Sequence, residues 1–306
     1  MHIIFNSGKD GFGNNGGSRT LIRCAETLAG MGHDVSFYAS AFRYNWHKVN
    51  NVSIILSKKN PCPPCDLLIT ASHRDVGMAK SIKAKHKLYY IRGFETWKAT
   101  EKQLIKGYKS HICIVNSIWL KNKLERLGIK SKIIYQGLDF NLFHNLRQRR
   151  GNTIGAIFHV KHKTKRHVDA EKVAKMSGYP LVLLNKDIKG PSPVVLNQWY
   201  NKLKIWFAPT ELEGLHNPPM EAAMAGCAII RTDHPRCGMA DYAVDKESAL
   251  VYPARDLKAA ARCIERLMSD YIYREQLNHN MIDILKNVIG SREENMHKLL
   301  EYVRSL

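Results

Sequence analysis

Short apolar runs alternate with amphipathic stretches along most of this chain. The apolar runs are a few residues long, and the stretches between them place apolar side chains at helical spacing. Near the N-terminus, a strand at His2–Phe5 is followed by a helix over Thr20–Met31 and by a second strand at Val35–Tyr38. An alternation of this kind is typical of parallel sheets with helices on their faces, so we predict an α/β fold.

The alternation falls into two series, separated by a polar and strongly basic segment at 144–152 that we interpret as a linker. The first series predicts further strands at Val52–Leu56, Asp66–Thr70, Lys87–Ile91, Ile112–Asn116 and Lys132–Tyr135. The second predicts helices near 168–177, near 194–202 and from Leu257 onward, and strands at Thr153–Phe158, Pro180–Leu184, Ile205–Ala208 and Ala228–Arg231. We therefore expect domains at 1–145 and 146–290, with a final helix at about 291–306 that can pack back on the first domain. Two such domains predict a ligand-binding cleft between them.

Positive charge is concentrated in the first half of the chain. The 306 residues hold 47 Lys and Arg against 27 Asp and Glu, a net charge of +20. Residues 1–150 contain 25 basic and 9 acidic residues, whereas residues 151–306 contain 22 and 18. Such an imbalance indicates an extended anionic partner, either nucleic acid or an acidic membrane surface. The alternative is a solvated basic face without a partner.

The seven cysteines do not form a complete disulfide framework, because their number is odd and they are scattered. Cys62 and Cys65 are the one close pair; they could be redox-active or half of a zinc site, but two reduced loop thiols are the simpler interpretation. The N-terminal apolar stretch is too short for a signal peptide, and no apolar run is long enough to cross a membrane. We expect a cytoplasmic protein with no obligate protein partner.

The segment at 209–227 carries the most informative chemistry. Glu213 and Glu221 lie eight positions apart, with Gly214 after the first and two prolines between them. The prolines suit the entry to a helix, where free backbone N–H groups and the helix dipole favour a diphosphate. Carboxylates can accept hydrogen bonds from sugar hydroxyls, so the segment predicts a site for a polyhydroxylated, phosphate-bearing molecule. An ordinary loop–helix junction is the alternative.

Residues 213–230, EGLHNPPMEAAMAGCAII, resemble the Glu-x7-Glu motif of retaining GT-B glycosyltransferases, especially glycosyltransferase family 4. The resemblance extends to the glycine-rich segment 13–35 and to segments 133–144 and 232–256. It implies two Rossmann-like, doubly wound domains facing a central cleft, the first binding the acceptor and the second a nucleotide-diphosphate sugar. A UDP-sugar is the favoured donor. No cofactor and no catalytic metal are expected, and no Asp-x-Asp metal motif follows a strand.

The resemblance also implies roles for individual residues on the donor side. Glu221 would hold the nucleotide ribose, Glu213 would lie beside the transferred sugar, and Lys165 would face the departing diphosphate. The family's partner arginine has no clear counterpart; Lys161 is favoured over His159 and Lys163. The loop amides expected to meet the sugar and phosphate belong to Gly214, Leu215, His216 and Asn217, although the family usually has a second glycine where this chain has His216.

In the first domain, the resemblance implies that amides of Gly16 and Gly17 reach the cleft and that His73 contacts the sugar; a structural histidine is the alternative. Candidate acceptor contacts are Arg19, Arg92, Glu95 and Trp46. Trp46 belongs to segment 42–48, where aromatic and basic residues are interleaved as in surfaces that stack bases. An ordinary surface loop with a buried tryptophan would give the same pattern.

The resemblance implies that the basic half of the chain lies on the acceptor side. Basic residues cluster at 80–87, 98–109 and 121–132. We therefore favour sugar transfer to DNA, onto a hydroxylated base flipped into the cleft. The alternatives are a glycolipid or polysaccharide acceptor at an anionic membrane, and a nucleic-acid-binding protein without transfer activity.

Overall fold

The structure, a computed structural model, describes residues 1–159, 163–185 and 192–306. The chain divides into two units. Unit 1 comprises Met1–Gly137 together with Arg292–Leu306, and unit 2 comprises Leu138–Ser291.

Unit 1, all of whose residues are described, contains a parallel sheet of seven strands. Its strands are β1 His2–Ser7, β2 Asp34–Ala39, β3 Ser53–Leu56, β4 Cys65–Thr70, β5 Ala84–Ile91, β6 Ile112–Val115 and β7 Ser131–Ile133, in the spatial order β3–β2–β1–β4–β5–β6–β7. Its helices are α1 Gly16–Gly30, α2 His73–Ala79, α3 Glu101–Tyr108, α4 Ile118–Glu125 and, from the end of the chain, α10 Arg292–Arg304.

Different helices cover the two faces of this sheet. Side chains alternate along each strand, so neighbouring residues of one strand pack against different helices. Leu88 and Tyr90 of β5 join the cluster that contains apolar residues of α1 and α10, whereas Tyr89 and Ile91 join the cluster that contains α3 and α4. The C-terminal helix thus completes the hydrophobic core of the first unit rather than the second.

Unit 2 contains a second parallel sheet, which in its described residues has the order β12–β11–β10–β8–β9. The strands are β8 Ile154–Phe158, β9 Leu181–Asn185, β10 Ile205–Ala208, β11 Ala228–Thr232 and β12 Leu250–Tyr252. The helices are α5 His167–Ser177, α6 Pro193–Tyr200, α7 Asn217–Met224, α8 Leu257–Ser269 and α9 Tyr271–Ile284, with 3₁₀ turns at Lys163–Lys165 and Gly238–Asp241 and a π-helix at Leu285–Ile289.

The basic segment 144–152 lies within unit 2 and is not a free linker. The backbone N–H of His144 donates to Asn197 at 3.2 Å, and that of Leu146 donates to Asn201 at 2.8 Å. Arg150 donates to the carbonyl of Leu203 at 3.0 Å and also to that of Ala225. Side chains of asparagine and arginine therefore form hydrogen bonds with backbone groups here. The composition of the segment alone had indicated a linker.

The strand order reverses once in each sheet. In unit 1 the chain runs outward from β1 to β3 and then returns to place β4 on the other side of β1. In unit 2 it runs from β8 to β9 and then returns to place β10 beside β8. Loops that leave two neighbouring parallel strands in opposite directions open a crevice at their carboxyl ends, where ligands bind in open α/β sheets.

A buried carboxylate holds the loop after β1. Asp75, on α2, is fully buried and accepts a hydrogen bond from the backbone N–H of Lys9 at 2.7 Å. Burial raises the pKa of Asp75 to about 6. The charge of nearby Asp10 acts in the same direction, while the backbone N–H groups of Lys9 and Asp10 and the charge of Lys98 lower the pKa. Its other carboxyl oxygen is buried without a hydrogen-bond partner among the described residues, which is an unfavourable position for a charge.

We expect Asp75→Asn to stabilise the protein above pH 6. The raised pKa means that the folded state binds the proton more tightly than the unfolded state, so wild-type stability falls as the pH rises from about 4 to about 6. The amide can still accept the Lys9 N–H but carries no charge. Thermal or urea unfolding between pH 4 and 8 should show the advantage of the variant growing to about 1–3 kcal/mol.

Asp34→Asn is the matched control, because the Asp34 side chain is 73% exposed. It should leave the pH profile of stability close to that of the wild type. A stability difference for Asp75→Asn that does not change with pH would contradict the assignment.

Candidate active site

Lys165 and Glu213 meet where the strand order of unit 2 reverses. Lys165 ends the 3₁₀ turn that follows β8, and Glu213 lies in the loop that follows β10. The Nζ of Lys165 and Oε1 of Glu213 form an ion pair, and the two side chains are 15% and 24% exposed. The backbone N–H of Glu211 donates to the carbonyl of Thr164 at 2.9 Å and so ties the two loops together. A cation and a carboxylate are therefore held side by side, within reach of solvent.

A second set of charges fixes the loop that carries Glu213. Arg255 donates to Glu211 at 2.9 Å, and Arg166 lies 3.8 Å from the same carboxylate. The hydrogen bond from Arg255 lowers the pKa of Glu211. The Glu213 N–H donates to the carbonyl of Arg236 at 3.1 Å. Sequence reasoning missed Glu211 and Arg166, because their role depends on a contact between separate loops.

The loop enters α7 through a strained residue. His216 has a φ of +66°, in the left-handed region, and is only 5% exposed. Its ring Nδ1 lies 3.3 Å from the sulfur of Met239, and its carbonyl accepts from the Tyr242 hydroxyl at 2.9 Å. Glycine adopts this backbone conformation freely, whereas a histidine adopts it only at a cost in backbone strain. Since the imidazole and the neighbouring Leu215 side chain are buried, a ligand at this loop would meet backbone groups.

Glu221 lies one turn inside α7, since the helix begins at Asn217. It is 4% exposed, and the hydroxyl of Tyr200 donates to its Oε2 at 3.2 Å. Tyr200 is itself fully buried on α6, with its ring 5.3 Å from that of Trp206. Tyr200 is a further residue that the sequence analysis did not single out, because nothing in spacing relates α6 to α7. Lys161 lies outside the described residues.

In unit 1, Arg92 connects the loops that leave β1 and β4. It donates to the carbonyl of Gly17 at 2.6 Å and to that of Ala71 at 3.5 Å. A side chain at position 17 would place its Cβ 3.3 Å from the guanidinium, so glycine permits this close approach. Burial lowers the pKa of Arg92. These contacts make Arg92 a positioning residue for the glycine-rich loop, where Gly16 and Gly17 open α1.

Glu95 similarly orders the start of α2. It accepts from the backbone N–H of His73 at 2.7 Å and from the Tyr89 hydroxyl at 3.3 Å, and it lies 3.6 Å from Lys98. The His73 ring is half-buried, and its Nδ1 has no hydrogen-bond partner among the described residues. His73 is thus fixed by its backbone, and its Nδ1 is shielded from solvent next to Gly107.

The tryptophan of segment 42–48 packs inward. Trp46 is half-buried against the core of unit 1, with its ring 5.9 Å from that of Tyr44. Tyr44 contacts His47, whose Nε2 lies 3.0 Å from Glu26 and fixes the segment to α1. By contrast, Trp97 is 56% exposed. Arg19 is half-buried on α1.

Cys62 and Cys65 are free thiols, and burial raises their pKa values to about 11 and about 12. Across the described ranges, no group of three His, Cys, Asp or Glu side chains is arranged to hold a metal ion. The helices of the described part of the chain are all too short or too polar to span a bilayer.

Solved structures with the same architecture cover the whole chain. Sucrose-phosphate synthase from Thermosynechococcus elongatus has a TM-score of 0.76 at 15% identity, over 100% of this chain and 98% of that one. HepE from Anabaena, in complex with UDP and glucose, has a TM-score of 0.78 at 13% identity, over 100% of both chains. This likeness confirms the predicted class: two parallel α/β units with the fold of GT-B glycosyltransferases.

Within that class, the sequence similarity is concentrated in unit 2. Residues 170–270, about a third of the chain, match the family described as glycosyl transferases group 1. The capsular polysaccharide biosynthesis glycosyltransferase CapM of Staphylococcus aureus is 28% identical over 130 residues. That alignment spans 42% of this chain and 32% of CapM.

We expect Arg92→Met to destabilise unit 1 by ~2 kcal/mol or more, because the carbonyl of Gly17 would lose its charged donor. Thermal unfolding provides the measurement. Arg74→Met removes the same charge from a side chain that is 61% exposed and should cost much less. If Arg92→Met instead keeps wild-type stability, the residue does not position the glycine-rich loop.

Proposed function

We propose that this protein is a glycosyltransferase that moves a sugar from a nucleotide-diphosphate sugar, with a UDP-sugar favoured, to an anionic acceptor. The observation that carries the proposal is the contact between Lys165 and Glu213 at the strand-order reversal of unit 2. HepE, which is similar over its whole length, is described in complex with UDP and glucose. The similarity of residues 170–270 to group 1 glycosyl transferases supports the same donor chemistry.

Lys165 is the residue we assign to the leaving group. In the proposed step, the bond between the anomeric carbon and the diphosphate oxygen breaks, and its electron pair stays on the diphosphate. The acceptor hydroxyl bonds to the same carbon from the same face, so configuration is retained, and its proton passes to the departing diphosphate. A preorganised ammonium group stabilises the charge that develops on the diphosphate. The proposal requires no metal ion.

Glu213 has two parts in this proposal. Its contact with Lys165 holds the ammonium group in place before the donor binds. Its carboxylate can also accept hydrogen bonds from hydroxyls of the transferred sugar. Glu221, held by Tyr200, is assigned to the nucleotide ribose, and the backbone of Gly214–Asn217 is assigned to the sugar and diphosphate. In unit 1, the half-buried side chain of His73 is assigned to the sugar.

The charge of unit 1 supports DNA as the acceptor, with a hydroxylated base as the group that receives the sugar. Of the 20 excess positive charges, 16 lie in residues 1–150, most of which form unit 1. A phosphodiester chain is a partner that many separate cations can contact at once. The base would be flipped out of the helix to reach the reacting atoms.

A polysaccharide or glycolipid acceptor at an anionic membrane is the second candidate. The similarity to CapM favours it, because CapM is named for capsular polysaccharide biosynthesis. The same positive charge would then face acidic headgroups.

We expect Lys165→Met and Glu213→Gln each to reduce sugar transfer, and slow hydrolysis of the donor, by about 100-fold or more. Because the two side chains contact each other, the double variant should lose much less than the product of the two single losses. Rates of donor cleavage, followed by release of free sugar, test this directly.

Lys163→Met is the matched control, because Lys163 lies on the same turn and is exposed. It should cleave the donor at close to the wild-type rate. If losses of the two single variants multiply, Lys165 and Glu213 act separately and the assignment of a joint role fails. An intact donor in the wild-type incubation would favour a non-catalytic binding protein.

The acceptor is tested by incubating the protein with a panel of nucleotide sugars and either DNA containing hydroxymethylated bases or vesicles of acidic glycolipid. Product mass identifies the acceptor. We expect a hexose mass on the modified DNA and none on unmodified DNA of the same sequence. Transfer of the sugar to the lipid but not to the DNA would reject DNA as the acceptor and support the second candidate.

A further inference from the structure

Apart from His73, the residues of a basic groove between α2 and α3 in unit 1 have no part in the donor chemistry assigned above. The groove has a volume of about 520 Å³ and is open to solvent. The residues that line it include four cations but no carboxylate: Lys9, Arg74, Lys80 and Lys106, together with His73.

Three of these cations are not neutralised by the protein. Arg74 pairs with Asp10 at 2.9 Å. In contrast, Lys9, Lys80 and Lys106 are exposed, and no carboxylate of the described chain lies within ion-pair distance of their ammonium groups. Like charges gathered around one concave surface repel each other and attract an anion. The groove therefore carries an excess of positive charge, which an anionic ligand would neutralise.

The length of the groove argues for a chain of phosphates rather than a single one. His73 begins α2 and Lys80 follows its last residue, so about 10 Å of helix separates them. Lys106, near the end of α3, supplies the other wall. A single phosphate group would contact only part of this surface, whereas successive phosphodiesters could contact all of it.

An exposed tryptophan, Trp97, lies only a few residues before α3, which forms one wall of this groove. Trp97 precedes Lys98, whose ammonium group is 3.1 Å from Asp10, and Asp10 in turn pairs with Arg74 of the groove. Trp97 is 56% exposed, and its ring lies against Gly93, where an added Cβ would be only 3.1 Å from the ring. The edge of the indole thus packs against the Gly93 backbone, while more than half of the side chain is open to solvent, where an aromatic group can stack on a single-stranded base.

We propose that the α2–α3 groove binds the phosphodiester backbone of a nucleic-acid strand and that Trp97 stacks on one of its bases. The inference deepens the proposed function, on which it rests for the identity of the acceptor. A nucleic-acid strand fits better than a membrane, because the groove is concave and its lining presents no exposed large apolar side chain. His73 also lines the groove, so the strand would contact the residue assigned to the sugar.

The first experiment measures binding of the full chain to a labelled oligothymidylate of about 20 nucleotides, without sugar nucleotide, over a range of salt concentrations. We expect Lys80→Gln with Lys106→Gln to weaken binding about tenfold or more at low salt. The slope of log K against log salt should fall by about 1.4, because each phosphate contact on a single strand contributes about 0.7.

Lys130→Gln with Lys132→Gln is the matched control, since both lysines are exposed and lie just before and within β7, at the edge of the same sheet. This pair removes the same charge and should leave the slope unchanged. Equal effects of the two pairs would overturn the proposal in favour of a diffuse basic surface. A lysine near a helix C-terminus also stabilises the helix, so its removal can lower the stability of the fold. Thermal unfolding of each variant measures this loss of stability separately from the loss of binding.

The second experiment separates the possible polyanions. Trp97→Ala should weaken oligothymidylate binding about tenfold, Trp97→Phe should restore most of it, and neither should change binding of inorganic polyphosphate. Equal affinity of wild type and Trp97→Ala for the oligonucleotide would overturn the stacking role. Anionic vesicles serve as the third probe; vesicle binding that depends on Lys80 and Lys106, without oligonucleotide binding, would reject the nucleic acid.

These measurements do not depend on catalysis. A wild-type protein that cleaves the donor but fails to bind the oligonucleotide would reject the groove and leave the glycosyltransferase proposal standing. A protein that binds the oligonucleotide through the groove but never cleaves a donor would do the reverse.

Discussion

The reversal of strand order in each parallel sheet is the constraint on which the candidate sites depend. A parallel strand ends at the same edge of the sheet as its neighbour, and a reversal sends the two following loops apart. In unit 2 this geometry brings the turn after β8 against the loop after β10, so Lys165 and Glu213 meet although 48 positions separate them. No local propensity could bring them together; the sheet does it, and the Glu211–Thr164 hydrogen bond completes the contact.

At the corresponding edge of unit 1, two polar residues hold the backbone around the candidate site. Arg92 and Glu95 were expected as acceptor contacts from their position after β5. The structure uses Arg92 to bind backbone carbonyls and Glu95 to accept the first N–H of α2. Such groups fix the glycine-rich loop and His73 in advance, and this lowers the ordering cost when a ligand binds.

Much of the fold could be predicted because strands and helices leave a periodic pattern of apolar residues in the sequence. Less of the site could be predicted, because contacts between side chains of separate loops leave no such pattern. Every strand with a clear apolar run was found within a few residues, including Ile205–Ala208 at the same bounds. The short strand β12, at Leu250–Tyr252, was not predicted from the sequence. Trp46 and Trp97 illustrate the second limit: both lie in basic segments, yet only the fold decides that Trp46 packs inward while Trp97 stays exposed.

The charge of unit 1 acquires a more definite meaning once its carboxylates are located. Asp75, Glu26 and Glu95 are each committed to contacts that hold loops and helix ends, and Asp10 is shared between Arg74 and Lys98. None of the four carboxylates pairs with Lys9, Lys80 or Lys106, which remain without acidic neighbours. A solvated basic face would require only that charges be spread out and separated by acids. Here the cations instead line one groove, and the nearby carboxylates are already engaged in other contacts. This arrangement is the one expected of a surface that binds an anion from outside the protein.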